Sequence, residues 1–297
     1  METLPSNEVE DLFASSMIGL DEDEESSPEN PTGWLAIARL HSLASHEVLA
    51  AALAACNDVD PLKRRVGAAV LGQLGHSRVG FGPVFFAEER YDGLASLLAN
   101  EREGPGDPGV LNDVCIALGH LHDPRAIPAL LELWQHPNAD VRLGVVSGLS
   151  EHAIPEAITG LIALSSDSDE HVRDWATFEL GQMITTDTPA IRAALYARLD
   201  DPCIDARNEA IEGLATRCDD SVLPVLIREL HDQVALPLLD AATALARPEL
   251  CEALVAAKIG GLVVPTRHGP HDLTKTWAEA MKACGCQWPE AFGPASA

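Results

Sequence analysis

The chain has 297 residues, enough for two ordinary domains or one elongated one, and either arrangement buries a substantial core. Its composition is 46% apolar and only 4% aromatic, rich in Ala and Leu, which points to an all-α protein. A formal charge of −26 would repel the phosphate backbone that a nucleic-acid binder neutralises with Lys and Arg, and this argues against direct DNA or RNA contact.

Residues 1–30 carry ten acids and no Lys or Arg, and end in DEDEESSPEN. Such a like-charged run repels itself, so an acidic, largely disordered segment is expected over 1–30. Its apolar exception, around Leu12, Phe13, Met17, Ile18 and Leu20, has the composition to dock as a short helix on the first repeat. Acid stands where a signal peptide needs a basic start, and no apolar run reaches the roughly 18 to 20 residues that cross a bilayer. A cytoplasmic protein without membrane contact is expected.

From residue 31 the chain repeats itself. Leu40, Leu71, Leu118, Leu149, Leu180, Leu214 and Leu245 sit at one position of a common frame, spaced 31, 47, 31, 31, 34 and 31 residues apart. Four residues before each stands a small or β-branched apolar residue: Ala36, Gly67, Val114, Val145, Ala176, Ala210 and Ala241. An i, i+4 pair lies on one helical face, and a small residue there lets a neighbouring helix come close. A second helix comes after each of these, opened by Pro or an acidic turn, as in Pro128–Trp134, Ala157–Leu164, Pro189–Leu199 and Val222–Leu230. The unit is therefore a helical hairpin, repeated about seven times over 31–264. The 47-residue spacing holds an insertion, GHSRVGFGPVFFAEER at 75–90, with three of the six Phe; insertions in repeat proteins form loops on one face. Residues 265–297 form the end of the array. Pro265–Pro270 breaks the pattern, and Asp272–Ala283 reads as a capping helix with Trp277 inward, because an array must hide its last apolar face.

A period near 31 built from two helices resembles the HEAT repeat, in the short bacterial form found in phycobilisome-lyase-type HEAT-like repeats. The matching residues are Asp140-Val141-Arg142, His171-Val172-Arg173 and Asp205-Ala206-Arg207, each followed by the small residue and the leucine, with LGHLHDPRAIPALLELW (118–134) as turn and second helix. The chain departs from the pattern at Leu111, Leu238 and Gly33, which occupy the Arg position in repeats three, seven and one. The resemblance implies a HEAT-like α-solenoid over about residues 33–260. Fold does not carry function. Arg64, Arg142, Arg173 and Arg207 are expected to be structural, bridging to acids or carbonyls of the neighbouring repeat.

Catalytic chemistry is hard to find. A deoxyhypusine-hydroxylase-type di-iron site needs His-Glu pairs in register on several repeats, and His-Glu occurs once, at His46-Glu47, outside the register. His268, His271, Cys284 and Cys286 have zinc-compatible types, but Cys-x-Cys is tighter than the usual spacing and the His pair comes first. His120-Leu-His122-Asp123 reads as turn chemistry before Pro124. No phosphate-binding Gly loop follows a strand, and no catalytic residue, cofactor or metal is assigned. The seven scattered Cys read as small buried hydrophobes, with no disulfide framework.

In HEAT repeats the helix with the Val-Arg start lines the concave side. Its residues one before the small position read Val66, Asp113, Gly144, Trp175, Glu209 and Asp240, and one earlier Arg65, Asn112, Leu143, Asp174, Asn208 and Leu239. Two past the small position come Phe178 and Glu212. Asn112, Asp113, Asp174, Trp175, Phe178, Asn208, Glu209, Glu212 and Asp240 thus form the candidate partner-binding set, acidic and amide-rich with two aromatics. Trp175 reads either as a contact anchor or as core. The expected function is a non-enzymatic scaffold or adaptor, monomeric, that holds a basic protein or peptide, an immunity- or antitoxin-type inhibitor being its specific form. The alternative is a lyase-like or cofactor-handling protein with a pocket near the Phe-rich insertion.

Overall fold

The computed structural model of the chain describes residues 6–18, 32–75, 85–104, 106–257, 263–266 and 269–287. The chain divides into two compact units, Met1–Gly160 and Leu161–Ala297. The architecture is the all-α array of HEAT-type hairpins.

The first unit opens with α1 (Ser6–Ile18), followed by the hairpins α2 (Thr32–Leu43) and α3 (His46–Ala55), α4 (Pro61–Gln73) and α5 (Ala87–Glu103), α6 (Pro108–His120) and α7 (Ile127–Leu131), and α8 (Ala139–Leu149) with α9 (Pro155–Leu164), in which the division falls. The second unit holds α10 (Glu170–Phe178), extended by a π-helical turn over Glu179–Met183, with α11 (Pro189–Tyr196). Then come α12 (Ile204–Thr216) with α13 (Leu223–Asp232), α14 (Leu236–Leu245) with α15 (Cys251–Ala256), and α16 (Leu273–Ala283). Seven hairpins stand among the described residues, one for each leucine of the frame.

The linkers start these helices by chemistry the sequence displays. Asp60, Asp107, Asn138, Asp169 and Thr188 are N-caps whose side chains accept from backbone N–H groups of the first turn, three of them with Pro at the next position. The leucine column is the core: Leu40, Leu71, Leu149, Leu180 and Leu214 are fully buried, and so are Val114, Val145, Ala176, Ala210 and Ala241 four residues earlier. Truncating such a leucine to Ala costs about 2–5 kcal/mol. Glycine brings the first helices together: a Cβ on Gly148 would lie 2.9 Å from the Cys115 carbonyl O, and one on Gly213 2.6 Å from the Cα of Gly181.

The Arg at the head of the repeat ties down the linker in front of it. Arg64 Nη1 donates to Asp58 O and Val59 O, Arg142 Nη1 to His136 O and Pro137 O, Arg173 Nη1 to Asp167 O and Ser168 O, and Arg207 Nη1 to Asp201 O and Pro202 O. In each case the acceptors lie six and five residues back. Three of these Arg also reach a carboxylate: Arg64 to Glu101 and Arg207 to Glu229 in the second helix of the same hairpin, and Arg173 to Asp201 in the linker that follows α11. The structural expectation holds, with two of the three acids supplied from within the hairpin. Asp201 is buried, which alone would raise its pKa, but Arg173, the Cys203 N–H and Arg198 hold it below the ordinary value.

Four expectations change. Residues 6–18 of the acidic segment are helical: α1 packs along α2 with Val9 buried, so that part is not disordered and docks on the first repeat as its apolar residues allow; the DEDEESSPEN run lies outside the described residues. Of the 75–90 insertion, 76–84 lie outside the described residues, while Ala87–Arg90 already belong to α5. Phe85 covers Gly75, and the buried Arg90 donates to the carbonyls of Leu71, Gly72 and Phe85, closing the open end of α4. Third, where Pro265–Pro270 reads only as a break, a two-stranded antiparallel hairpin forms from β1 (Val263–Thr266) and β2 (Gly269–Asp272). The two prolines are partners across it, which a two-stranded ribbon tolerates because both of its strands are edges. Fourth, the cysteines are not all free: Cys251 and Cys286 form a disulfide. The cap is as expected, with Asp272 as N-cap, Trp277 buried and its Nε1 donating to Leu254 O at 2.7 Å.

Candidate partner-binding faces

Each unit presents the face of its first helices in its own way. In the first unit, α2, α4 and α6 line a groove of ≈ 390 Å³ with Ile37, Ala69 and Ile116 among its apolar lining. Trp34 stands at it 56% exposed, and Leu35 beside it is 59% exposed. The polar lining is internally paired. Arg65 Nε donates to Asp113 Oδ2 at 2.7 Å, Asn112 Nδ2 to Asp113 Oδ1, His41 Nε2 meets Ala69 O, and Gln73 Nε2 meets the His120 ring. Burial raises the Asp113 pKa, and Arg65 pulls against it. Asp113 is thus a satisfied carboxylate, and Asn112 lies against Gly144, where a Cβ would come within 2.9 Å of its Oδ1.

In the second unit the same face carries Asp174, Trp175 and Phe178 from α10, Glu209 and Glu212 from α12, and Asp240 from α14. Trp175 and Phe178 are half-buried and meet edge to face at 5.7 Å, so Trp175 is neither pure core nor a bare anchor. Glu209 is pushed up to about 7 by burial, with Asp174 and Asp205 adding to the rise and a hydrogen bond from Gln182 Nε2 opposing it. Glu212 is pushed up to about 8 by burial and then by Glu209 and Asp240. Arg65 opposes the rise at Asp113, whereas no Lys or Arg is among the groups that shift Glu209 or Glu212. Asn208 is a correction: it is buried and accepts from Gln233 Nε2 at 3.2 Å, so it belongs to the packing between α12 and the end of α13 and is removed from the contact set.

Sequence reasoning missed Trp34 and Gln182. Trp34 occupies, in repeat one, the position of Arg65, Asn112 and Asp174, so extending that column by one repeat finds it. Gln73, His120 and Gln182 likewise all stand two residues past the frame leucine.

The other candidate chemistry finds structural uses. Cys286 is bonded to Cys251, and the thiol of Cys284 donates to Ala242 O, so neither sulfur is placed as a zinc ligand; His268 lies outside the described residues. No group of three His, Cys, Asp or Glu side chains among the described residues is arranged to hold a metal. Asp123 caps the turn at Arg125 N, the role its place before Pro124 suggests. Phe86 packs edge-on against His46 at 4.7 Å. No described helix is long and apolar enough to cross a membrane.

The family model for HEAT repeats matches residues 92–181 and 158–246. Among solved structures, the Escherichia coli protein YibA aligns over 97% of this chain and 99% of its own at 20% identity with a TM-score of 0.64, a likeness of fold. Human deoxyhypusine hydroxylase (19% identity, 94% of this chain and 96% of its own, TM-score 0.34) and the Pds5–Scc1 complex (12%, 97% and 41%, TM-score 0.35) align more loosely. No curated protein matches the chain.

Proposed function

This chain belongs to the HEAT-repeat family, and from that premise we propose that it is a non-enzymatic scaffold whose second unit holds a basic protein or peptide. The observation that carries the reading is the pair Glu209 and Glu212, pushed up to about 7 and about 8 on a helix face that also bears Asp174, Asp240 and the Trp175–Phe178 pair. Burial first, and then the neighbouring acids, keep these carboxyls partly protonated near pH 7, so an incoming cation displaces a proton, relieves the repulsion between the acids, and binds more tightly as pH rises. Aromatic rings beside such carboxyls favour guanidinium over a plain ammonium. The protein acts as a monomer in the cytoplasm in this reading. A basic enzyme, such as a nuclease of a toxin–antitoxin pair, is the partner for which holding becomes inhibition.

The reading is tested by anisotropy of a labelled Arg-rich peptide with the full chain at pH 7.5 and low salt. The Glu209→Gln/Glu212→Gln variant should bind at least about ten-fold more weakly, the effect of losing close charge pairs, while Asp113→Asn should change affinity less than about three-fold. Equal affinities for wild type and the double variant would move the binding face elsewhere.

A further inference from the structure

At the C-terminal end a disulfide joins Cys251, in the first turn of α15, to Cys286, just past the last turn of α16, across a sequence separation of 35. Both cysteines are half-exposed. They wall an open hollow of ≈ 550 Å³ whose other lining residues include Glu252, Val255, Gly285 and Gln287. Glu252, Val255, Gly285 and Gln287 are all exposed, so a small thiol can reach the bond without any displacement of the core. Exposed bridges are the more easily exchanged ones, and this one lies at a rim open to solvent.

Of the five free cysteines three are shielded, while Cys203 is half-buried and Cys218 exposed, so that Cys218 is open to alkylation before reduction as well as after it. Cys284 is buried two residues away, its thiol donating to the Ala242 carbonyl, and burial raises its pKa. It therefore stays a thiol and does not compete for Cys286. Cys56 and Cys115 are buried in the first unit, with thiols pushed up to about 12 by desolvation.

Helix α16 has a seat of its own besides the bond. Leu273, Trp277, Ala280 and Met281 are buried against the last hairpin, and Trp277 Nε1 donates to Leu254 O. The bridge thus fastens an element that already has apolar contact, so that cutting it loosens α16 without removing the reason for it to return.

We propose that Cys251–Cys286 is a reversible thiol–disulfide exchange site, with dithiols as its substrate class, that sets how tightly α16 is held on the last hairpin of the second unit. A thiolate of the dithiol attacks Sγ of Cys286, the S–S bond breaks and the electron pair leaves on Cys251 Sγ, which takes a proton. The second thiol of the reductant then attacks the mixed disulfide, closes the reductant's own disulfide and releases Cys286, also protonated. Two electrons and two protons pass from the dithiol to the protein.

The test uses the full chain, oxidised and then treated with millimolar dithiothreitol in the absence of denaturant, with thiols mapped by alkylation and mass spectrometry and amides followed by hydrogen exchange. Two new alkylated sites and no others, Cys251 and Cys286, are expected. Amides of α16 should exchange at least about ten-fold faster while those of α12 stay within about two-fold, and re-oxidation should restore protection. Cys251→Ser and Cys286→Ser should each exchange like the reduced wild type under oxidising conditions, and the wild-type comparison stands by itself if either variant misfolds. The proposal is overturned if the oxidised protein has no bond between these residues, or if dithiothreitol leaves it intact. It is equally overturned if α16 protection is unchanged by reduction, or if the whole second unit loses protection with it.

Discussion

The two units place the same pair of frame positions side by side and fill it with opposite chemistry. In the first, the residue two before the small position of α4 is Arg65, and it meets Asp113, one before the small position of α6, in a 2.7 Å ion pair. In the second, the corresponding residues of α10 and α12 are Asp174 and Glu209, and Asp174 pushes the pKa of Glu209 upward. The backbone frame fixes which side chains are neighbours; only the sequence decides whether they attract. A stack that replaces Arg by Asp at this position gives up an internal ion pair and sets two acids beside each other.

Breaking the attractive pair should have the largest effect. Arg65→Ala leaves the carboxylate of Asp113, whose side chain is 17% exposed, without its guanidinium, and should cost roughly 2–3 kcal/mol in denaturant unfolding at pH 7. The effect should shrink at low pH, where Asp113 takes up a proton, its pKa being already raised.

Converting the repulsive pair into the attractive one comes next. Asp174→Arg should stabilise the protein by roughly 1–2 kcal/mol at pH 8 and by little at pH 5, and should abolish binding of a basic peptide. The sign is set by Glu209. Its folded pKa of about 7 lies above the ordinary glutamate value of 4.5, so the folded state holds the extra proton between these values and stability falls as pH rises through that window. An Arg at 174 favours the ionised form and removes that loss.

The smallest effect sharpens the comparison within α12. Glu212→Gln should leave stability nearly unchanged at pH 4 and raise it by roughly 1 kcal/mol at pH 8, because the folded value of about 8, raised by burial, Glu209 and Asp240, lies above the ordinary 4.5, so the wild type loses stability as pH rises through that window and the glutamine does not. Thermal midpoints at the two pH values check it; a variant destabilised at pH 8 would mean that the ionised carboxylate has a compensating partner.

Much of the fold was readable from one column. A leucine with a small residue four positions before it constrains a helix to be packed on one face at close range, and seven such pairs gave seven hairpins, with Trp277 correctly inward on the cap. What was not readable depends on distance in three dimensions. Cys251 and Cys286 are 35 residues apart with Cα atoms 5.2 Å apart, a proximity no periodicity encodes. Asn208 stands in a column of face residues, yet Gln233, from the end of α13, reaches it and the position closes over. The apolar residues within the acidic 1–30 pointed to a docked helix but not to its extent or its most buried apolar residue, Val9, which lies outside the cluster of Leu12, Phe13 and Met17. For the candidate faces, the column gave Asp174, Trp175, Glu209, Glu212 and Asp240 as neighbours in register, but their degree of ionisation comes from burial, which a sequence does not print.

The most direct measurement is therefore the proton count on binding. Titration calorimetry of an Arg-rich peptide into the full chain at pH 7, in two buffers of different ionisation enthalpy, reports how many protons leave as the complex forms. With Glu209 at about 7 and Glu212 at about 8, both carry much of a proton in the free protein. A cation at this face should release between about half and one and a half protons per complex, and affinity should rise from pH 6 to pH 8. A heat of binding independent of the buffer, with affinity flat across that range, would contradict the assignment of this face as the site that holds a basic partner.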